Sequence, residues 1–330
     1  MSKAKVLYYN IDDTLEYENS LLEKWGISDM ELVEVKDKEN HKSFTEYASD
    51  ADGVVVEYQQ ITREVMDRLP RLQIVSLQSI GYNNVDIPAA TEHGICVTNA
   101  PGFCAEEVAL HTVGMLIDLV RKISFFDRSV RAGQWNPLLG PTVHRITGKT
   151  IGLVFFGSIP KLMIPMLKAI GLKVIVYAPT KAKEYLAYFG VEKVDTLEEL
   201  LETSDFVSLH TPLTPQTRHM IGEPQLKLMK PDAFLINTAR GSVVDEPALV
   251  KALADGTIAG AAVDVIENED TEKSELFAFE NVVITPHAAF ISEDSFYCAR
   301  EMALEQLVLR LSKKQIPTHL VNKTMTVSFS

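Results

Sequence analysis

Three hundred and thirty residues are enough for two domains of ordinary size with substantial cores. Hydrophobic residues make up 46% of the chain and charged residues 23%, a composition that excludes disordered, collagen-like and disulfide-scaffold proteins. Lys and Arg total 32 against 45 Asp and Glu, which gives a net charge of −13. Such an acidic surface repels phosphate backbones and anionic lipid, so neither nucleic acid nor a membrane is an expected partner.

The cysteines and the first residues of the chain indicate the cellular compartment in which the protein is expected. Cys96, Cys104 and Cys298 are scattered and form no Cys-x-x-Cys pair, so we expect reduced thiols, no disulfide framework and no metal site. The chain begins on a strand-like run without the apolar stretch of a signal peptide. Its longest apolar-rich run, 108–120, is too short to span a bilayer. These features predict a cytoplasmic protein.

Short apolar runs alternate with amphipathic segments along the chain, in two series separated by a helical stretch at about 104–132. The first series predicts strands at Val6–Tyr9, Leu32–Val35, Gly53–Val56, Ile74–Leu77 and Ile95–Thr98. The second series predicts strands at Ile151–Phe156, Val174–Tyr177, Phe206–His210, Phe234–Asn237, Ala261–Val265 and Val282–Thr285. Continuous β-branched runs between helices are typical of parallel sheets covered on both faces. The prediction is an α/β fold with two doubly wound parallel-sheet domains.

Helix boundaries agree with this pattern. Asp245 is a predicted N-cap, followed by an early proline, and Gly256 ends that helix. Thr196 and Glu199 have the spacing of a capping box. A last helix is predicted at about 293–311.

The second series begins with a strand that runs directly into a helix, where a dinucleotide-binding fold places its glycine-rich phosphate turn. The three glycine positions of that motif hold Phe155, Gly157 and Pro160, so only the middle glycine is present. Gly157 lets a pyrophosphate approach the backbone, and the N–H groups of Ser158 and Ile159 remain available at the helix N-terminus. A plain strand–helix turn without a ligand stays open as the alternative.

The next strand ends at Ala178, where such folds usually carry a carboxylate for the adenosine ribose. Losing the carboxylate removes two charge-assisted hydrogen bonds and also the repulsion of a 2′-phosphate. Thr180, Lys181 and Lys183 follow at once, so both NAD and NADP stay open as cofactors. Solvated lysines on a loop are the competing interpretation.

Four segments occur in a specific order. They are SIGYNNVD from Ser79, NTARGSVVDEPAL from Asn237, GAAVDVIENE from Gly260 and TPHAAF from Thr285. With them the chain resembles the D-isomer-specific 2-hydroxyacid dehydrogenase family over nearly its whole length. The segments EEVA at 106–109 and HAAFISE at 287–293 look most like its C-terminal-binding-protein branch, which includes corepressors as well as enzyme-like members.

The resemblance implies a substrate (catalytic) domain made of 1–99 and 288–330, and a dinucleotide-binding Rossmann domain made of 100–287, with a small 2-oxo or 2-hydroxy acid bound in the cleft. It implies a homodimer formed through the cofactor domains, with the helical stretch near 104–132 in the contact. The family's catalytic arginine, acidic partner and acid/base histidine fall on Arg240, Glu269 and His287. Its substrate-carboxylate loop falls on Ser79, Ile80 and Gly81. Its cofactor contacts fall on Gly157, Ser158, Ile159, Thr211, Pro212, Thr238, Ala239 and Asp264.

The chemistry of a 2-oxo acid reduction suits these residue types. His287 can supply a proton to the developing alkoxide near neutral pH, and a carboxylate beside it favours the protonated ring and orients it. Arg240 offers a planar fork that binds a carboxylate and polarises the keto oxygen. Amide groups in the turn around Gly81 complete the anion site. The cofactor performs the hydride step.

Other interpretations compete at each position. A histidine after Thr-Pro at a strand end is more often structural, Arg240 has the alternative of a surface ion pair, and Asp264 that of a strand-end cap. Glu267 lies in the same acidic run as Glu269, and the spacing of five from Asp264 favours Glu269. The aromatic side chains of Tyr58 and Phe290 suggest a small or apolar 2-oxo acid. No arginine occurs at 57–60, which disfavours a phosphorylated substrate.

Three hypotheses follow. The leading one is an NAD(P)-dependent oxidoreductase that interconverts 2-oxo acids and D-2-hydroxy acids. The second is a catalytically weak dinucleotide-sensing or scaffold protein of the corepressor type, which the altered positions Phe155, Pro160 and Ala178 favour. The third is an α/β protein whose cofactor site Phe155 blocks.

Overall fold

The computed structural model describes residues 3–11, 14–37, 41–57, 59–140, 143–269 and 273–325. The chain forms two compact units, one made of 1–103 and 292–330, the other of 104–291. The domain boundaries expected from the sequence, at 99/100 and 287/288, lie a few residues before these. Among the described residues, no helix has the length and apolarity needed to cross a membrane.

The first unit contains a five-stranded parallel sheet with the strand order β2-β1-β3-β4-β5. Its strands are β1 Ala4–Tyr9, β2 Met30–Val35, β3 Gly53–Val56, β4 Ile74–Leu77 and β5 Cys96–Thr98. Its helices are α1 Glu16–Lys24, α2 Phe44–Tyr47, α3 Arg63–Asp67, α4 Ile87–Glu92 and α12 Glu293–Leu307, the last continued by a π-helical turn at Val308–Ser312. This order is that of flavodoxin-like doubly wound folds.

The second unit contains a seven-stranded parallel sheet with the order β12-β11-β10-β9-β6-β7-β8. Its strands are β6 Thr150–Val154, β7 Lys173–Tyr177, β8 Glu192–Val194, β9 Phe206–Leu209, β10 Phe234–Asn237, β11 Gly260–Val263 and β12 Val282–Ile284. Its helices are α5 Ala105–Arg121, α6 Ile123–Arg131, α7 Ser158–Ala169, α8 Lys183–Tyr188, α9 Leu197–Thr203, α10 Glu223–Leu226 and α11 Glu246–Ala254, with 3₁₀ turns at Gly241–Val243 and Glu275–Ala278. The order reverses next to β6, as in dinucleotide-binding folds, where ligands bind at the carboxyl ends of the strands.

Each sheet has a hydrophobic core on both faces. In β3, Val54 and Val56 belong to one buried cluster of the first unit and Val55 to the other. In β6, Val154 and Leu153 likewise belong to the two clusters of the second unit. Successive side chains of a strand point to opposite faces, so continuous β-branched runs supply both cores. The α/β prediction with two doubly wound parallel sheets is confirmed.

The predicted helical stretch at 104–132 is two helices, α5 and α6. Lys122 takes the left-handed conformation between them, with φ 58°. The carboxylate of Asp118 accepts hydrogen bonds from the N–H and the hydroxyl of Ser124, which replace helix hydrogen bonds at the break. The short edge strand β8 was not predicted, because its three residues include Glu192 and Lys193 and form no apolar run.

The predicted caps are present. The Asp245 side chain accepts the N–H of Ala248 at 3.1 Å, and Thr196 accepts the N–H of Glu199 at 3.1 Å. The second half of the predicted capping box differs, because the Glu199 carboxylate accepts the N–H of Asp195 rather than that of Thr196.

Candidate active site

Three neighbouring strands of the second unit bring the candidate catalytic residues to one edge of the sheet. Asn237, Val263 and Ile284 are register partners at the ends of β10, β11 and β12. Arg240 and His287 each lie three residues beyond those partners, on the two strands that flank β11. Neighbouring strands are about 4.8 Å apart, so the two strand ends are separated by about 10 Å. The topology therefore gathers side chains that are far apart in sequence.

His287 is held in an unusual turn and paired with a carboxylate. Its backbone is left-handed, with φ 52°, and its N–H donates to the carbonyl of Asp264 at 2.7 Å. Its ring Nδ1 lies 2.8 Å from Oε2 of Glu269, and both side chains are 42% exposed. The ring of Phe290 meets the imidazole edge-on, with 6.1 Å between centroids. A carboxylate on Nδ1 leaves Nε2 as the nitrogen that can exchange a proton with a ligand.

Asp264 shapes the turn between 285 and 289. Its carboxylate, which is nearly fully buried, accepts the hydroxyl of Thr285 at 2.5 Å and the N–H groups of Ala288 and Ala289 at 2.8 and 3.0 Å. The ring of His111 lies 3.0 Å from the Thr285 hydroxyl and 3.7 Å from the Asp264 carboxylate. The side chain thus organises the protein's own backbone, and a direct contact with a cofactor stays a prediction.

Arg240 follows β10 in a turn that the Asn237 side chain stabilises. The Asn237 amide donates to the carbonyl of Arg240 at 2.9 Å and accepts the N–H of Ala239 at 3.0 Å. One guanidinium nitrogen of Arg240 donates to the carbonyl of Ala239 at 2.6 Å. No carboxylate in the described ranges forms an ion pair with Arg240, so its remaining donors can receive an anion.

The turn after β6 offers a place for a dinucleotide phosphate. Gly157 is the N-cap of the twelve-residue helix α7, and a Cβ at this position would meet no other atom within 4 Å. The backbone at Gly157 is therefore open to the approach of a ligand. The N–H groups of Ser158 and Ile159 donate to no group in the described part of the chain and stand at the positive end of the helix dipole. These features fit a pyrophosphate.

Phe155 stands at the first glycine position of that turn. It adopts φ 71°, its N–H donates to the carbonyl of Tyr177 at 2.7 Å, and its ring packs edge-on against that of Tyr177, with 6.3 Å between centroids. Phe155 therefore packs against the end of the neighbouring strand β7.

The other predicted cofactor residues lie at the ends of β9 and β10. Thr211 and Thr238 are buried, and their hydroxyls bond within the protein, to the carbonyl of Pro212 at 3.2 Å and to Thr112 at 2.8 Å. Ala239 uses its N–H within the turn described above. Their contacts to a cofactor stay predictions.

Positive charge follows strand β7. Ala178 is buried, and its carbonyl accepts the N–H of Lys181 at 3.0 Å. The ammonium groups of Lys161 and Lys181 lie 5.6 and 5.8 Å from the ring centre of Tyr185. Two cations thus share one aromatic ring at the strand end where the adenosine ribose of a dinucleotide binds.

In the first unit, the predicted carboxylate loop has open amides. The carbonyls of Ser79, Ile80 and Gly81 accept hydrogen bonds from the Ala100 N–H, the Asn99 side chain and the Ser79 hydroxyl, at 2.9, 2.8 and 2.7 Å. The N–H groups of the same three residues have no acceptor within the described ranges. A turn with satisfied carbonyls and free amides suits an anion. Tyr58 lies outside the described residues.

No role was expected from the sequence for three side chains that bond near these residues: Asn237, His111 and Glu246, whose carboxylate accepts the N–H of Glu267. Asn237 and Glu246 lie within the segment that begins NTARG, so the motif contained a signal for both. His111 belongs to α5, 174 residues before the Thr285 that it contacts, and nothing in the sequence links the two.

Comparison with known proteins agrees with the geometry. Residues 113–289 match the family described as D-isomer specific 2-hydroxyacid dehydrogenase, NAD binding domain. A glyoxylate reductase from Thermococcus litoralis is 42% identical over 82% of each chain. The chain belongs to the D-isomer specific 2-hydroxyacid dehydrogenase family.

Solved structures of similar fold bind nicotinamide cofactors. An NADPH-dependent glyoxylate/hydroxypyruvate reductase from Sinorhizobium meliloti, solved with NADP and malonate, has a TM-score of 0.84 at 28% identity and covers all of both chains. A D-lactate dehydrogenase from Lactobacillus jensenii, solved with NAD+, has a TM-score of 0.77 at 28% identity over 96% of this chain and 99% of its own.

These findings confirm the leading hypothesis. The protein is an NAD(P)-dependent oxidoreductase that interconverts 2-oxo acids and D-2-hydroxy acids. Nothing in the comparisons supports the scaffold alternative. The expected resemblance to the C-terminal-binding-protein branch is not confirmed.

Proposed function

We propose that this enzyme reduces a small 2-oxo acid of the size of glyoxylate, with NADPH as the preferred cofactor and His287 as the proton donor. The observation that carries the proposal is the 2.8 Å contact between Nδ1 of His287 and the carboxylate of Glu269. We assign substrate binding to the unit made of 1–103 and 292–330, and cofactor binding to the unit made of 104–291.

The bound cofactor supplies a hydride to the keto carbon. The protein must then deliver a proton to the oxygen that becomes the hydroxyl. Nδ1–H of His287 donates a hydrogen bond to the Glu269 carboxylate. The ring therefore presents its Nε2 proton to that oxygen, and it takes the proton back in the reverse direction. The same carboxylate restrains the rotation of the ring.

Arg240 is proposed to bind the substrate carboxylate and polarise the keto group. Its guanidinium has no carboxylate partner in the described ranges, and its bond to the Ala239 carbonyl restrains the side chain. In the first unit, the open amides of Ser79, Ile80 and Gly81 are proposed as donors to an anion.

Two observations support a small, unphosphorylated substrate. The Phe290 ring lies edge-on to the imidazole, with 6.1 Å between centroids, and places an apolar group near the proposed proton donor. Residues 57–60 include no cation that could bind a phosphate. The names of the relatives, which include several glyoxylate reductases, support the same substrate class.

The end of β7 supports a preference for NADPH. No carboxylate occurs from Ala178 to Lys183, so nothing there repels a 2′-phosphate. Lys161 and Lys181 place two ammonium groups around Tyr185 beside this segment. A phosphate at the ribose would meet both charge and aromatic surface.

A homodimer and a cytoplasmic location complete the proposal. Trp135 and Leu138 are 87% and 90% exposed, and further large apolar side chains are exposed nearby in the chain, at Leu110, Ile123, Val130 and Val143. Large apolar side chains this exposed are typical of residues that another protein covers, and we assign that role to a second copy of this chain. Cys96, Cys104 and Cys298, all within the described ranges, form no disulfide, which suits a reducing compartment.

Steady-state kinetics with glyoxylate, pyruvate, hydroxypyruvate and a phosphorylated 2-oxo acid, each with NADPH and with NADH, test the proposal. We expect glyoxylate-sized acids to react fastest. His287→Ala should lower kcat about 10²–10⁴-fold while NADPH still quenches the intrinsic tryptophan fluorescence. His93→Ala, which alters a histidine bonded to Asp67 in the first unit, is the matched control. Full turnover in His287→Ala would refute the assigned proton donor.

A further inference from the structure

The carboxylate of Glu246 contacts the chain on both sides of Glu269. Glu246 is the first residue of α11. Its Oε2 accepts the N–H of Glu267 at 2.8 Å, and its Oε1 accepts the hydroxyl of Ser274 at 2.6 Å. Glu269 lies between these two contacts and belongs to no helix or strand. Its position therefore depends on the contacts that fix the neighbouring backbone.

Glu267 is held from a second direction. Its carboxylate accepts a guanidinium N–H of Arg218 at 3.0 Å and lies 2.6 Å from Nε2 of His219. His219 is itself fixed by its N–H, which donates to the carbonyl of Ser242 at 2.8 Å. The residue two positions before Glu269 is thus bonded through both its backbone and its side chain.

The backbone of Ile266 and Glu267 packs closely against Gly241, in the turn that carries Arg240. A Cβ at Gly241 would overlap the carbonyl of Ile266 and the backbone of Glu267. Glycine is therefore required for this approach. The segment leading to Glu269 lies against the residue that follows Arg240.

We propose that Glu246 is a positioning residue that sets the distance between Glu269 and His287. The inference deepens the proposed function and rests on it, since the pair matters only if His287 transfers the proton. Glu269 is 42% exposed, and in the described ranges its only hydrogen bond goes to His287. A carboxylate so exposed has rotational freedom, and anchoring its backbone lowers the entropy lost when it holds the imidazole.

A double-mutant cycle tests the proposal. We expect Glu246→Ala to lower kcat for glyoxylate reduction about 10-fold with little change in KM for NADPH. In a Glu269→Gln background the same substitution should change kcat less than twofold, because Glu246 acts through Glu269. Glu246→Gln should retain most of the activity, since its amide can accept one of the two hydrogen bonds and donate in the other. If only the charge at the helix N-terminus mattered, Gln would behave like Ala.

Glu223→Ala is the matched control. Glu223 is also the first residue of a helix and also precedes a proline, but its carboxylate bonds to Lys251 and Lys227. We expect unchanged kcat in this variant. If Glu246→Ala lowered kcat equally in the wild-type and the Glu269→Gln backgrounds, the positioning role would be overturned. Glyoxylate reduction by the wild-type protein would still support the proposed function in that case.

Hydrogen exchange gives a readout that does not depend on activity. Glu246→Ala should speed exchange of the Glu267 amide relative to Glu223→Ala, because that amide loses its acceptor. An unchanged exchange rate of the Glu267 amide would overturn the proposed anchor, whatever the activity of the protein. A wild-type protein that reduced none of the acids tested would refute the proposed function, but it would not change the exchange result.

Discussion

The N–H of His287 donates a 2.7 Å hydrogen bond to the carbonyl of Asp264, whose carboxylate binds the next two backbone amides. One residue at the end of β11 thus holds the turn after β12 through its main chain and its side chain. The left-handed backbone of His287 is unfavourable for a residue with a Cβ, and these bonds offset that cost. His287, the proposed proton donor, is therefore placed by contacts with the residue that follows the neighbouring strand.

Asp264→Asn should weaken this turn. An asparagine has one acceptor oxygen where the aspartate carboxylate has two, so it cannot accept from the Thr285 hydroxyl and from the amides of Ala288 and Ala289 at once. We expect the free energy of unfolding to fall by about 1–3 kcal/mol and kcat to fall with it. Denaturant titration and steady-state kinetics measure both. An unchanged free energy of unfolding together with a raised KM for NADPH would instead indicate that Asp264 contacts the cofactor.

Arg240→Lys should impair substrate binding more than cofactor binding. A lysine keeps the positive charge but replaces the planar fork by a point donor, which loses bidentate contact with a carboxylate. We expect kcat/KM for glyoxylate to fall by about 10²-fold, with little change in the Kd for NADPH. Arg63→Lys, at an exposed arginine of the first unit paired with Glu92, is the control. Equal losses in both variants would argue against the assigned role.

Lys161→Ala and Lys181→Ala should lower the preference for NADPH. Each removes one ammonium group near the Tyr185 ring, and only NADPH carries the 2′-phosphate that would bind there. We expect the ratio of kcat/KM for NADPH over NADH to fall about tenfold in each variant. Lys193→Ala, in the edge strand β8, serves as the control. Parallel losses with both cofactors would contradict the proposed phosphate contact.

Stability should depend on His210 below neutral pH. Burial lowers the pKa of His210 to about 3, from 6.5 in an exposed histidine. The ring stays neutral in the folded protein, whereas the unfolded chain takes up a proton as the pH falls below 6.5. The free energy of unfolding is therefore undiminished above pH 6.5, and it falls progressively as the pH drops towards the pKa of His210 in the folded protein.

The His210→Gln variant isolates this effect. Between about pH 7 and about pH 5, the wild-type protein should lose up to about 2 kcal/mol more unfolding free energy than the variant. Urea titrations at the two pH values measure the difference. A constant difference between the proteins across this range would show that the folded histidine titrates normally.

Trp135→Ser combined with Leu138→Ser should shift the protein towards a monomer. Both side chains are almost fully exposed in the single chain, and a covered apolar surface contributes about 25 cal/mol for each Å² removed from water. Light scattering over a concentration series measures the change. Tyr188→Ser, at another highly exposed aromatic residue of the same unit, is the control. A wild-type monomer at every concentration would contradict the proposed homodimer.

Local patterns in the sequence were sufficient to predict the strands and helices of the two sheets. Runs such as Gly53–Val56 and Phe234–Asn237 become strands with the predicted bounds, because short continuous apolar runs suit a sheet buried on both faces. The cap at Asp245 likewise depends on residues three positions apart. The break at Lys122 was not predictable in this way, since helix propensity continues through it.

The sequence by itself determined which kind of chemistry to expect, because Arg240, Glu269 and His287 stand in motifs whose order and spacing are specific. Only the tertiary structure decided how those groups are held. The contacts of Asp264 with the histidine turn and of Glu246 with the segment around Glu269 join residues on different strands and helices. Such pairings arise when parallel strands align their carboxyl ends, and that alignment is a property of the folded sheet.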